Sequence, residues 1–224
     1  MSKIVRRNRP EEAASIQADQ NPTPPPLPVP TFDLASVNRL LQLRRSIFPV
    51  DYSDEPVSKE ELEQLLQNAH WAPNHGHTEP WHFVVFHGKE ALIEFGEAHA
   101  ELYRKHTPEE TFVEKKFNKL QGKPKKAAAI IAICMKRGSN PKIPEIEEVE
   151  AVACAVHNMH LTATAMGLGG YWSSGGMTYH ASMQEFLGLG PEDRCLGFFF
   201  LGRPKSGWKQ GRRKTNWEDK VEWR

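Results

Sequence analysis

Four short segments concentrate the residue types that hold and orient small molecules. Arg44-Arg45-Ser46 sets two guanidinium forks and a hydroxyl side by side, the donors needed to grip a phosphate and the polar edge of a ring. Two arginines closing a helix are also what its dipole favours, so the triplet alone decides nothing. The loop Ala72-Pro73-Asn74-His75-Gly76-His77-Thr78-Glu79-Pro80-Trp81 is held between two prolines and delivers a tryptophan at its exit. His70, His75, His77, His82 and His87 cluster here, and His75-x-His77 presents two imidazoles of the kind metals take. No cysteine or second histidine pair accompanies them, and in a strand His77, His82 and His87 would not share one face, which argues against a metal centre. Gly169-Gly170-Tyr171-Trp172-Ser173-Ser174-Gly175-Gly176 would let backbone amides approach a flat ligand closely, and equally would serve as a connection around a core tryptophan. Lys209-x-x-Arg212-Arg213-Lys214 is a basic cluster of a sort ordinarily solvated.

The elements that must carry these segments follow from apolar spacing. Leu34, Val37, Leu40 and Leu41 predict a helix from an Asp33 N-cap up to the arginine triplet. Ser58-x-x-Glu61 is a capping box, followed by Leu62, Leu65, Leu66 and Ala69 on one helical face, and Pro73 closes that helix. Residues 81–86 are rich in β-formers and end at His87-Gly88, so a strand is expected. Residues 89–121 predict two charged helices broken near Pro108, covering the core or a cavity. The apolar run 127–135 predicts a buried strand. The longest helix runs from Glu145 to about Gly167, its acidic start suited to the dipole. A strand at 171–172, a helix near 182–187 and a strand at 196–201 complete the core. No GxGxxG stands between a strand and a helix, so the expected class is α+β, a sheet flanked by helices, rather than a Rossmann domain.

Composition limits the function classes. The chain has 224 residues with 29 Lys+Arg against 28 Asp+Glu, so nothing in its overall charge argues for nucleic-acid binding. The longest apolar run is too short to span a bilayer, and the basic N-terminus lacks the apolar segment of a secretory signal. Cys134, Cys154 and Cys195 fit neither a disulfide framework nor a zinc knuckle and read as buried thiols of a reducing, intracellular compartment. Residues 1–32 hold seven of the 17 prolines and cannot bury enough apolar surface to offset ordering, so they read as a disordered proline-rich leader before one domain at 33–224. The tail from Arg203 is basic yet holds Trp208, Trp217 and Trp223, which are expected to be buried against something, a second subunit included.

Taken in order, these segments resemble the FMN-dependent nitroreductase family from about Leu34 onward. The anchors are Arg44-Arg45-Ser46, the loop from Ala72-Pro73 to Pro80-Trp81, Gly167-Leu168-Gly169-Gly170 and Leu201-Gly202-x-Pro204. The subgroup of minimal bacterial NAD(P)H nitroreductases is the most similar. The resemblance implies a mostly antiparallel central sheet flanked by helices, a C-terminal arm embracing the partner of a cytoplasmic homodimer, and FMN at the interface. It implies FMN held by Arg44, Arg45 and Ser46, lined by Trp71, His75, Trp172, Ser173 and Ser174, with Arg213 on the phosphate. It also implies ping-pong transfer from NAD(P)H through FMN to a nitroaromatic, quinone or related acceptor, with no protein residue acting as nucleophile. The sequence departs from the family at His77, where Asn is frequent, and at Glu79, where Gln is frequent. It departs at Gly211, where a lysine is usual and Arg212 would substitute. Ser173 stands where the subgroup has Arg, which removes a positive charge near the flavin. A flavin-binding or storage protein with little turnover is the first alternative; a histidine-rich metal-binding module is the second.

Overall fold

A computed structural model describes residues 27–208 and 210–224. Most of the proline-rich leader lies outside these residues; 27–33 form neither helix nor strand and are exposed. Four strands, β1 (Trp81–His87), β2 (Ala129–Met135), β3 (Gly169–Ser173) and β4 (Arg194–Gly202), form one sheet in the order β1-β2-β4-β3, antiparallel throughout. This is the α+β arrangement the sequence predicts.

The unbroken apolar run of β2 has its reason in position. All seven of its residues are buried, because side chains alternate between faces and both faces of this strand are covered. Ile130, Ala132 and Cys134 join one core with Phe95, Phe198 and Phe200. Ile131, Ile133 and Met135 join the other with Leu65, Val156, Met159 and Phe199. Helix α3 (Lys89–His106) contributes to the first core; α2 (Lys59–His70) and α5 (Glu145–Ala165) contribute to the second. The capping box of α2 is formed, with Glu61 N–H donating to Ser58 Oγ and Ser58 N–H donating to the Glu61 carboxylate.

The break near Pro108 separates α3 from α4 (Glu114–Gly122), which buries only Phe117. The short α6 (Ala181–Phe186) follows β3. Helix α1 (Leu34–Leu43) has no buried residue, and its apolar positions Leu34, Val37 and Leu41 are exposed. One expectation needs correction. Cys134 and Cys195 are buried, but Cys154 is exposed: it occupies the face of α5 opposite to Val152, Val156 and Met159. The acidic start of α5 lies in its first turn, as the dipole favours, and one of its carboxylates has a partner as well. Glu148 is buried and pairs with Arg137, whose guanidinium also donates to the Ile143 carbonyl at 3.0 Å.

Candidate functional site

The arginine triplet continues directly from α1. Arg44 N–H extends the helical ladder to the Leu40 carbonyl, and the Leu43 carbonyl accepts from the Trp208 indole at 2.8 Å, which ties the C-terminal arm to this helix end. The next residues turn alongside β3: Ser46 bridges Gly170 in parallel sense, and Ile47 N–H donates to the Gly170 carbonyl at 3.0 Å. Only glycine fits at 170, since a Cβ would lie 2.5 Å from Phe199 Cζ and 3.0 Å from His160 Cδ2. That glycine therefore serves packing rather than access for a ligand. The Arg45 carbonyl sits 2.9 Å from His160 Nε2. Burial, the first cause, lowers the His160 ring to about 4, so it is neutral and its Nε2–H can donate to that carbonyl.

Three guanidinium groups gather here. Arg44 is held below the usual arginine range, first by burial and then by the charges of Arg213 and Arg45. Among the described residues neither Arg44 nor Arg213 is paired with a carboxylate. Arg44 and Arg213, like charges within electrostatic reach and without a carboxylate, match a phosphate-bearing ligand in charge. The donor set therefore fits the phosphate end of FMN. Lys209, which opens the basic cluster, lies outside the described residues; Arg212 and Arg213 are exposed and line a recess with Arg39, Gln42 and Trp208.

Trp172, Ser173 and Ser174 belong to a cavity of about 450 Å³ between β3, β4 and α4, which the arginines do not line. The placement of Trp172 depends on a bulge: Ile133 faces Gly197 and Cys134 faces Cys195, so Leu196 is the extra residue. Gly197 has φ 135°, and a Cβ there would meet the Trp172 indole nitrogen at 2.5 Å. The indole N–H donates to the Leu196 carbonyl at 3.0 Å. Ser173 Oγ accepts from Lys123 Nζ at 3.0 Å. A positive charge thus reaches Ser173 from the end of α4, from a lysine that nothing in its local sequence singles out.

His75 is not brought to this place, whereas Trp71 follows Asn68, which bonds Asn158 and Thr162 on either side of His160. Trp71 is the C-cap of α2 and 84% exposed. His75 lies in a short 3-10 turn, His75–His77, with Nδ1 2.5 Å from Glu147 in the first turn of α5. Arg45 meets α5 at His160 instead, and the stretch from Glu147 to His160 spans roughly 20 Å of helix at ~1.5 Å per residue. The loop is nonetheless specifically shaped. His77 and Glu79 are in the left-handed region at φ 55° and 44°, and Glu79 N–H is held by Asn74 Oδ1. Non-glycine residues there are uncommon and Asn tolerates it best, so the two departures from the family fall on the loop's two left-handed non-glycine positions.

The "Nitroreductase family" model matches residues 41–203. The Escherichia coli K12 protein named "Putative NAD(P)H nitroreductase YdjA" is 32% identical over 151 residues, 65% of this chain and 77% of its own length. A nitroreductase-like family protein from Bacillus cereus superposes with a TM-score of 0.71 at 27% identity, covering 87% of this chain and 98% of that one. A Bacteroides fragilis nitroreductase with bound FMN shares the fold at a TM-score of 0.59 and 21% identity, over 80% of this chain and 94% of that one. The match over the helix-end triplet, the sheet and the strand end at Arg203 leaves one conclusion: this chain belongs to the nitroreductase family.

Proposed function

We propose that the protein is an FMN-dependent NAD(P)H oxidoreductase, a nitroreductase working as a cytoplasmic homodimer, with residues 33–224 as its FMN-binding domain behind the leader at 1–32. The observation that carries this reading is the unneutralised convergence of Arg44 and Arg213 beside Arg45. The name of the relative YdjA and the FMN bound by the Bacteroides fragilis protein agree with it. Bound FMN supplies the chemistry: two-electron transfer from NAD(P)H to a nitroaromatic, quinone or related acceptor in ping-pong order. Arg44, Arg45 and Arg213 hold the phosphate, and Ser46 offers a hydroxyl to the polar edge. Their positive charge also favours electron-rich, anionic states in the site. Trp172, Ser173 and Ser174 line the space beside it.

The homodimer is supported by what one chain leaves unfinished. His75 stands far along α5 from the triplet, and a second copy would let both line one cofactor. Leu34, Val37 and Leu41 of α1, with Trp217 and Trp223 of the arm, are exposed apolar surface suited to that contact. No helix among the described residues is long and apolar enough to cross a membrane. Cys134 and Cys195 face each other across β2 and β4 as free thiols, which suits a reducing compartment.

The test is an absorbance spectrum of the purified protein followed by anaerobic NADPH, then NADH. Flavin bands that bleach support the reductase; bands that persist with both donors leave a flavin-binding protein. Arg44→Ala is expected to give folded protein with at least roughly tenfold weaker FMN retention, the loss expected for a charged hydrogen-bond partner. Wild-type flavin content in that variant would remove the triplet from the site.

A further inference from the structure

We propose that the cavity beneath α4 is the acceptor's binding place and that it takes an aromatic acceptor bearing a carboxylate. The proposal rests on the oxidoreductase reading and adds the substrate class to it. One wall is cationic: Lys116, Lys119 and Lys123 all line the cavity, and no aspartate or glutamate does. Among the described residues none of the three makes an ion pair. The β3 side is aromatic, with Tyr171 and the 37% exposed Trp172 in front of the buried Phe198 and Phe200.

Lys123 is not a free surface chain. Its ammonium lies 4.3 Å from the Phe200 ring centroid and 4.6 Å from that of Tyr171 while donating to Ser173 Oγ, so its position is fixed by two ring faces and a hydroxyl. Burial first and Lys119 second bring it down to about 8. On the opposite side, His99 is lowered to about 4 by burial, then by Lys123 and Lys116. Two groups on different elements thus register the same excess of positive charge. A partly desolvated cation favours an anion far more than a surface lysine does.

The shape selects among anions. Its volume of about 450 Å³ lies in the lower half of the range for small-ligand pockets, ~300–1,000 Å³. That accommodates a single-ring acid against Trp172 and is small for a whole dinucleotide. A bare inorganic anion would leave the exposed face of Trp172 uncovered. The carboxylate is assigned to the lysine side and the ring to the Trp172 side.

The experiment compares kcat/KM for 4-nitrobenzoate and its neutral methyl ester near neutral pH, together with calorimetric titration by benzoate, which cannot be reduced under these conditions. Wild type, Lys123→Met and Lys119→Met are used as holoproteins; the second variant lies on α4 and guards against a folding failure in the first. Wild type is expected to prefer the acid and to bind benzoate, with both measures falling roughly tenfold in Lys123→Met and by less in Lys119→Met. Lys123→Arg should restore part of the preference. An acid-to-ester ratio unchanged in both methionine variants would overturn the assignment, as would variants that raise only the KM for NADPH, which would place the donor's phosphates there. If neither donor bleaches the flavin, the oxidoreductase reading fails, and benzoate titration still decides whether the cavity binds carboxylates.

Discussion

The middle of the chain and its two ends are built by different rules. From Ile47 to the end of β4 the protein closes two cores on itself, and the central strand β2 has no exposed residue. At the ends, α1 buries nothing, and Trp217 and Trp223 remain 63% and 85% exposed. The arginine triplet lies at the seam, where α1 hands over to the sheet and the arm returns through Trp208. The middle is closed on itself; the ends leave apolar surface open, which is where the proposed assembly and ligand binding are to be tested.

The largest effect should come from emptying the middle. Phe199 packs in the core on the α5 side, and Phe199→Ala is expected to cost about 3–5 kcal/mol in urea unfolding. A loss below about 1 kcal/mol would mean that the sheet is not the stabilising unit. Next in size is acid. His99 and His160 are buried and held at about 4 against 6.5 for the free ring, in each case chiefly by burial. Both rings are neutral in the fold and take up protons on unfolding below about 6.5. Stability is therefore full above that pH and lost as pH falls toward about 4, by at most on the order of 3 kcal/mol per ring. A flat stability profile across that window would show that neither ring is buried as described.

A smaller and different effect is expected at the ends. The double variant Trp217→Ala/Trp223→Ala should weaken self-association at least roughly tenfold in sedimentation measurements while leaving the unfolding slope of the domain unchanged. An unaffected dimer would break the contrast between middle and ends. The smallest effect belongs to Ser58→Ala, which removes one half of the α2 capping box and should cost about 1 kcal/mol without touching association or flavin content.

Much of this architecture was legible beforehand, for local reasons. The capping box at Ser58, the run of β2 and the break at Pro108 are each written in neighbouring residues, and each produced the predicted element. The order of Arg44-Arg45-Ser46, the 72–81 loop and the glycine-rich exit also pointed to the family. Cys154 was misread because a thiol's burial depends on which face of α5 meets the sheet. Glu148 stands in the first turn of α5 as expected, but its partner Arg137 comes from the segment after β2, which no local pattern reveals. Lys123 escaped notice among the other lysines of 115–126, since only the fold brings it beside Ser173.

The sequence by itself determined the elements, the class of fold and the chemistry of the helix-end triplet, because propensity, capping and apolar period act over a few residues. The tertiary structure alone decided which cations converge. Arg213 comes within electrostatic reach of Arg44, and Lys123 donates to Ser173, each pair from distant parts of the chain, and His75 is set against Glu147 at the other end of α5. Like charges approach only when packing of the cores compels it, and that packing is a property of the whole sheet rather than of any segment.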